Sequence, residues 1–304
     1  MKETYKKSQL NEINRGKMQN IDTSFYENNQ FSAKEMRIMR LYLVYGIEIP
    51  KTKRINTKCL NVIENILEKD IDVNVEKYFG NLEYNSDQIE QILLGLDKGL
   101  DVSIYENPKY DSNQMEQIRF GLLENLDVSI YATPEYNYEQ MHKIHMGLKK
   151  EVDVTLYANP QLDSNQMALI LQGLEDSLDV KKYNNPSFSF YQMCLIYTGL
   201  KANLDVDMYA NPEFNYSQMK EIYEGLSTLK TSDVSIYAHI EISAAKMRQI
   251  RLAIKNGVDI QPYIINYNAK QLDVIRQGLQ SHLDISRITI PSLTAKEMKH
   301  RLFS

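Results

Sequence analysis

The chain of 304 residues has no Trp, only 2 Cys and no long apolar run. Two cysteines, Cys59 and Cys194, cannot form a disulfide framework, which excludes a small disulfide-stabilised secreted domain. No segment approaches the roughly 20 apolar residues that a membrane span needs, and the polar start MKETYKKSQLNE has no signal-peptide core. We therefore expect a cytoplasmic protein with no membrane partner. The apolar fraction of 43% excludes wholesale disorder.

The charge is unevenly distributed along the chain. Residues 1–60 carry 12 Lys and Arg against 6 Asp and Glu, a balance of +6. Residues 61–213 carry 11 against 26, or −15, and residues 214–304 carry 12 against 8, or +4. The acidic middle repels phosphate backbones, so direct nucleic-acid binding is disfavoured. It serves either as a solvated exterior or as a surface that attracts a basic partner.

A repeat of 26 residues dominates the sequence. The dipeptide Gln-Met, or a close variant, recurs six times at intervals of 26 and continues to the C-terminus at intervals of 28, 25 and 26. Its members are Gln88-Ile89, Gln114-Met115, Gln140-Met141, Gln166-Met167, Gln192-Met193, Gln218-Met219, Lys246-Met247, Gln271-Leu272 and Glu297-Met298. Glu35-Met36 and Cys59-Leu60 fit more loosely. Such a period is typical of stacked repeats that share one core.

Each unit has the pattern of a long helix, a stop, a very short helix and a proline turn. In residues 111–136, Met115, Ile118 and Leu122 form an apolar stripe at helical spacing. We predict an all-α fold, an α-solenoid of about ten to eleven such repeats. The expected organisation is a polar extension (residues 1–31), divergent N-terminal capping repeats (32–84), regular repeats (85–286) and a C-terminal capping half-repeat (287–304). Residues 1–31 are expected to form either a frayed tail or a short helix beside the first repeat.

Most recurring residues are predicted to serve folding. Asp111 stands three residues before Gln114, the spacing of a capping box, and this favours capping over a glutamine ladder that recognises bases. Gly99, Asn125, Asn203 and Gly257 are suited to the left-handed conformation after a helix. A following column of aspartates, from Asp72 to Asp284, is predicted to cap the short helices and not to bind metal.

Glycine and tyrosine also recur once in each repeat. Glycines such as Gly95 and Gly121 lie inside the long helices, where we expect a neighbouring backbone to approach too closely for a Cβ. The tyrosines that close the short helices, such as Tyr105, are expected to pack between neighbouring units, with the hydroxyl at the edge.

The positions that vary between repeats are the candidates for binding. Along the chain they begin acidic, become aromatic and apolar, and end basic. Tyr and Arg are enriched at binding hot spots. The candidate partner-binding residues are Glu116, Arg119, Tyr138, His142, His145, Phe190, Tyr197, Tyr216, Tyr223, Arg248, Arg251 and Arg276.

Catalytic and cofactor motifs are missing from the sequence. It has no paired carboxylates at a recognisable spacing, no HExxH, no serine elbow and no nucleotide fingerprint. His142 and His145 lie three apart on one helix but have no third ligand fixed by a motif, and Cys194 has no recognisable catalytic partner. We expect no catalytic residues, no metal and no cofactor, and therefore not an enzyme.

The consensus LDVSIYAxPEYNxxQMxxIxxGL resembles a tandem helical repeat of proteins encoded by phages and mobile elements of Gram-positive, AT-rich bacteria. The resemblance is close over residues 85–225, drifts over 226–304 and does not extend to 1–84. It implies a protein made inside a bacterial host cell. By analogy, an acidic, non-catalytic protein of such origin often modulates a host complex, for example a defence system.

The expected function is a non-catalytic scaffold that binds a protein through its acidic and aromatic surface. A more specific form is an inhibitor of a host complex, of the anti-defence or anti-CRISPR type, whose partner has a basic or nucleic-acid-binding surface. One alternative is a helical-repeat protein that binds nucleic acid, and another is an enzyme with an unrecognised site.

Overall fold

The computed structural model describes residues 5–46, 76–79 and 83–304. They belong to two compact units, Met1–Glu151 and Val152–Ser304. Cys59 and Asp72, and with them most of the predicted capping repeats 32–84, lie outside the described residues. Within the described part of the chain every regular element is a helix, which confirms the predicted all-α class.

Each unit alternates long helices with single turns of 3-10 helix. The first unit contains α1 (Lys7–Met18), α2 (Ala33–Val44), α3 (Glu76–Phe79), α4 (Ser86–Asp97), α5 (Ser112–Leu123) and α6 (Tyr138–Lys149). The second contains α7 (Ser164–Glu175), α8 (Phe190–Lys201), α9 (Tyr216–Leu226), α10 (Thr231–Val234), α11 (Ala244–Lys255), α12 (Ala269–Gln280) and α13 (Ala295–Phe303). The 3-10 turns are Thr23–Phe25, Val102–Ile104, Val128–Ile130, Val154–Leu156, Val180–Lys182, Val206–Met208 and Gln261–Tyr263.

Successive long helices pack against each other within each unit, as stacked repeats require. The fourth and seventh residues of α4 to α9, α11 and α12 form the core, as Met115 and Ile118 do in α5, where both are fully buried. A repeat of this size cannot bury such a stripe alone, so each helix depends on its neighbours.

The helix ends follow the predicted chemistry. The Asp111 carboxylate accepts from the Gln114 backbone N–H at 2.9 Å, and Gln114 Oε1 accepts from the Asp111 backbone N–H at 2.7 Å. Left-handed residues follow the helices at Gly99, Asn125, Asn203 and Gly257, as predicted. They also occur at three residues without that preference, Glu151, Ser177 and His282.

The aspartate column caps the short helices. Asp127 Oδ1, for example, accepts from the Ser129 backbone N–H at 3.1 Å. Hydrogen bonds from Ser103 hold the pKa of Asp101 below its ordinary value. Asp205 makes no such side-chain bond, and Asp233 lies inside α10 instead of preceding it. The capping prediction is therefore confirmed in most of the described repeats.

The glutamine at the third position of each long helix has a second role beyond capping. Gln88 Nε2 donates to the Pro108 carbonyl at 3.0 Å and to the Tyr110 carbonyl at 2.5 Å, in the turn 20 to 22 residues later. Equivalent bonds join Gln9, Gln114, Gln166, Gln192, Gln218 and Gln271 to later turns. The amide thus connects the start of a long helix to the proline turn that closes the same repeat.

The recurring tyrosine packs over the recurring glycine of its own repeat. Tyr105 is fully buried, and its hydroxyl donates to the Gln91 carbonyl at 3.2 Å. A Cβ at Gly95 would overlap that hydroxyl oxygen. The same relation joins Gly16, Gly121, Gly173, Gly199 and Gly225 to Tyr26, Tyr131, Tyr183, Tyr209 and Tyr237. The expectations of a close backbone at the glycine and of a tyrosine hydroxyl at the edge are therefore wrong.

The N-terminal segment contains the short helix that was one of its two expected forms, α1, and it makes the same contacts as the later repeats. Gln9 Nε2 donates to the Asn29 and Phe31 carbonyls at 3.1 and 2.7 Å, as its counterparts do in later repeats. Tyr26 is fully buried and packs over Gly16. The fourth residue of α1 is Leu10 in place of Met, and polar residues surround it, which hides the pattern in the sequence.

Candidate protein-binding face

The structure divides the twelve candidate residues into two groups by their place in the long helices. Six occupy the first or fifth position, and six occupy the eighth. The first group is Tyr138, Phe190, Tyr216, Glu116, His142 and Arg248, and the second is Arg119, His145, Tyr197, Tyr223, Arg251 and Arg276. The two groups have different surroundings.

The eighth position lies against the preceding helix of the same unit. Arg119 is 8% exposed, and its Nε donates to Gln91 Oε1 on α4 at 3.0 Å. Arg276 Nε makes the equivalent bond to Gln249 on α11, also at 3.0 Å. Tyr223 is half-buried, and its ring contacts the ring of Tyr209 at a centroid distance of 6.5 Å. These side chains connect neighbouring repeats.

Arg251 makes the most extensive of these contacts. It is 9% exposed, and its guanidinium donates to Glu221 Oε2 through Nε at 2.9 Å and Nη2 at 2.7 Å. A second carboxylate, that of Glu224, lies 2.5 Å from Nη2. In the first unit, Arg40 on α2 donates in the same way to Glu12 on α1 at 3.0 Å. Arg251 and Arg40 therefore neutralise acidic residues of the helix before them.

His145 and Tyr197 contact the end of the preceding helix instead. His145 Nε2 lies 2.9 Å from Glu124 Oε2, and Tyr197 donates to Asp176 at 2.5 Å. Lys149 and His145 lower the pKa of Glu124. The hydrogen bond to Asp176 raises the pKa of Tyr197. His145 Nδ1 is buried without a hydrogen-bond partner among the described residues.

Helix geometry explains why the eighth position turns inward. It follows the buried fourth position by four residues, which places it about 40° from that residue around the helix axis. The fifth position is about 100° away and faces outward. The prediction that both positions share one open surface is therefore wrong for Arg119, His145 and Arg251, which are buried.

The first, second and fifth positions of the long helices form what we call the open face. In the first unit this face is acidic along α4 to α6, whereas α1 and α2 carry Lys7, Lys34 and Arg37 at these positions. Across α4 to α6 these positions hold Asp87, Glu90, Glu116 and Glu139, and no Lys or Arg. They also hold Tyr138, which is 43% exposed, and His142, whose Nδ1 lies 3.2 Å from Gln117 Oε1. Burial lowers the pKa of His142, which disfavours its cationic form.

In the second unit the open face begins with an aromatic cluster of Phe190, Tyr191 and Tyr216. Tyr191 is 69% exposed and lies between the other two, with ring centroids 5.9 Å from Phe190 and 6.2 Å from Tyr216. Tyr191 was missed because the sequence comparison followed only positions one, five and eight. Its place directly after Phe190 at a helix start could have identified it.

Further along the second unit the open face becomes a basic groove. The groove encloses about 780 Å³ along α11, α12 and α13. The exposed cations Arg248, Lys270, Lys296 and Lys299 line it. Three of these four were missed, although the basic balance of residues 214–304 pointed towards this region.

Cys194 is the one cysteine in the described part of the chain. Burial raises the pKa of the half-buried Cys194 thiol, the opposite of an activated nucleophile. Among the residues that the structure describes, no three or more His, Cys, Asp or Glu side chains are grouped to hold a metal ion. No helix in this part of the chain has the length and apolar character to cross a membrane.

Comparison of the chain with protein-family models, with curated proteins and with solved structures gave no match. Its function is therefore inferred from the open face.

Proposed function

We propose that this protein is a non-catalytic helical-repeat scaffold that binds a protein partner through its open face. The observation that carries the proposal is the aromatic cluster in which Tyr191 and Tyr216 are exposed beside the half-buried Phe190. Solvent-exposed aromatic rings held on rigid helices provide large contact area at low entropic cost, and Tyr is a typical hot-spot residue.

The cluster lies on positions that folding does not use. The recurring glutamines, glycines and tyrosines have contacts within the repeats, and most of the aspartates cap short helices, whereas Tyr191 and Tyr216 are 69% and 42% exposed. Contiguous exposed apolar surface of this kind is typical of interaction sites. The acidic positions of the first unit, such as Glu116 and Glu139, favour a partner that is basic where it meets them.

A nucleic-acid-binding repeat remains the alternative, but the glutamine column does not favour it. Gln88, Gln114 and Gln192 are each less than 8% exposed, and both ends of their amides are hydrogen-bonded within the protein. A side chain in that state is not available to a base. Acidic residues on the open face of the first unit would also repel a phosphate backbone.

The resemblance to phage and mobile-element repeats suggests a biological setting. In that setting the proposed scaffold acts in the cytoplasm of a bacterial host and modulates a host complex, with a defence complex as one candidate. This part of the proposal rests on analogy to other proteins of that origin.

The test is affinity capture from a lysate of cells that encode the protein, followed by mass spectrometry. We expect the wild-type chain to retain a stoichiometric protein that the double variant Tyr191→Ala/Tyr216→Ala does not retain. Ile265→Ala is the matched control, because Ile265 is 88% exposed in the same unit but lies outside the open face. Capture of no protein, or equal capture by the aromatic variant, would refute the proposal. Retention of nucleic acid alone would support the alternative.

A further inference from the structure

We infer that the basic groove along α11 to α13 binds an acidic amphipathic helix of the partner. This deepens the proposed function, on which it rests, by assigning a chemistry to part of the partner. Four cations surround the groove, Arg248, Lys270, Lys296 and Lys299, and all are exposed. In the described part of the chain none of them forms an ion pair with a carboxylate.

The carboxylates in the groove do not neutralise these cations. The lining contains two acids, Glu221 and Asp273. Glu221 is bound by Arg251, and Asp273 accepts from Arg276 Nη2 at 2.6 Å. Because both acids are matched by arginines of the eighth position, the four outer cations leave the groove with a positive surplus. An anionic ligand complements that charge.

The floor of the groove favours a polypeptide over a nucleic acid. It is formed by small apolar side chains, including Ala244, Ala269, Ala295, Leu252 and Val274. The lining contains no aromatic ring on which a base could stack. The groove therefore offers apolar contacts from its alanines and positive charge from its four exposed cations. A ligand with one apolar side and carboxylates beside it would satisfy both.

The partner segment is expected to be helical because its backbone groups must be hydrogen-bonded when it is bound. An extended peptide obtains its affinity from hydrogen bonds to a sheet edge, and the described residues of this chain contain no strand. A helix satisfies its own backbone groups and can place an apolar stripe on the alanines of the groove. The carboxylates flanking that stripe then reach the lysines.

The experiment uses a synthetic acidic probe and the full-length protein. The probe is a fluorescein-labelled peptide with Leu at helical a and d positions and Glu at most others, and its scrambled sequence serves as the composition control. We expect saturable binding that weakens with added salt and is at least about tenfold tighter for the amphipathic order. Lys296→Glu/Lys299→Glu is expected to weaken binding at least about tenfold.

A matched variant separates the groove from net charge. Lys181→Glu/Lys230→Glu changes two exposed lysines of the same unit by the same charge, and neither residue lines the groove. We expect it to stay within about twofold of wild type. The groove variant should fold, since Lys296 and Lys299 are both exposed and Lys296 lies in the first turn of α13, where the helix dipole favours an introduced carboxylate.

Three results would overturn the inference: no saturable binding of the amphipathic peptide, equal weakening in both double variants, or tighter binding of an oligothymidylate that competes for the groove. Failure here would leave the aromatic cluster untouched, because that cluster is tested separately by capture with Tyr191→Ala/Tyr216→Ala. If the aromatic variant loses the captured protein and the groove binds no acidic peptide, the proposed scaffold function stands and only the acidic ligand is rejected.

Discussion

The α4 and α11 repeats differ in how the recurring tyrosine packs against the tenth residue of the long helix. In the repeat that begins with α4, Gly95 leaves room for Tyr105, which is fully buried. In the repeat that begins with α11, the equivalent residue is Ala253, and the equivalent tyrosine, Tyr263, is only half-buried. The Ala253 methyl group stands where the tyrosine hydroxyl would lie. The presence of the Ala253 methyl group thus coincides with a tyrosine ring that is less buried than its counterpart in the α4 repeat.

The α11 repeat differs at its helix start as well. Lys246 replaces the glutamine, and its Nζ donates to the Ile264 carbonyl at 2.6 Å. Lys246 can therefore still donate to the turn, as the glutamine does. It has no oxygen to accept from the N-cap backbone N–H, so the capping box found in α4 is incomplete in α11. Each recurring residue thus makes a particular contact. The α11 repeat keeps its helix although it lacks both the glycine and the glutamine, with Tyr263 less buried and Lys246 as the donor to the turn.

The largest expected effect comes from transferring the alanine into the regular repeat. Gly95→Ala ordinarily favours a helix, but here we expect a loss of about 4 kcal/mol in the free energy of unfolding because Tyr105 must leave the core. Urea unfolding followed by circular dichroism measures it. Tyr105→Phe removes the overlapping oxygen and leaves ring atom Cζ 3.2 Å from the new Cβ, so Gly95→Ala/Tyr105→Phe should be more stable than Gly95→Ala alone. Additive effects of the two changes would contradict the account.

A smaller loss is expected when the buried ion pair of the α11 repeat is broken. Arg251→Met leaves Glu221 and Glu224 without their cation, and we expect a loss of about 3 kcal/mol. Arg248→Met, three residues earlier on the exposed open face, serves as the control and should change stability by less than about 0.5 kcal/mol. Equal losses would show that the eighth position is not distinct from the fifth.

The two ends of the glutamine amide can be separated at position 88. Gln88→Lys keeps a donor, as Lys246 does, and should cost about 1 kcal/mol. Gln88→Glu keeps the acceptor but places a carboxylate against the Pro108 and Tyr110 carbonyls, at about 2 kcal/mol. We expect the two carbonyls, which cannot donate to a carboxylate, to raise the pKa of that glutamate above its unfolded value. The deficit should therefore shrink as the pH falls and grow as the pH rises through the native pKa, and a pH-independent deficit would exclude the donor role.

The smallest effect is a gain in stability. Ser177 adopts a left-handed conformation with φ of 56°, at the place that Gly99 and Gly257 occupy after their helices. Ser177→Gly should raise the free energy of unfolding by about 0.7 kcal/mol, because glycine has no Cβ to strain there. Gly99→Ser is the reverse control and should lower it by a similar amount. A destabilised Ser177→Gly variant would show that the serine side chain contributes more than its backbone costs.

Sequence patterns predicted the local features of this fold well. Asp111 with Gln114, and the residues after the helices such as Asn125, have roles set by backbone chemistry within a few positions of the chain. Contacts between residues on different helices were harder to predict from the sequence. The tyrosine over Gly95 and the acids around Arg251 depend on how two helices meet, which spacing alone does not specify.

The open face was predicted only in part for the same reason. Tyr138 and Tyr216 are exposed as expected, whereas Arg119 and His145 are buried beside the preceding helix. The hydrophobic period identifies a stripe but not the width of the contact around it. Residues at its margin, which include the whole eighth position, therefore could not be assigned to core or surface before the helices were placed.

The long reach of the glutamine amide has a consequence for biosynthesis. Gln88 and its counterparts bond to carbonyls 20 to 24 residues closer to the C-terminus. A nascent chain leaving the ribosome can coil one helix at once, yet it cannot complete that helix's amide contacts until the following turn has emerged. Each repeat therefore completes these amide contacts only once its own closing turn has been synthesised.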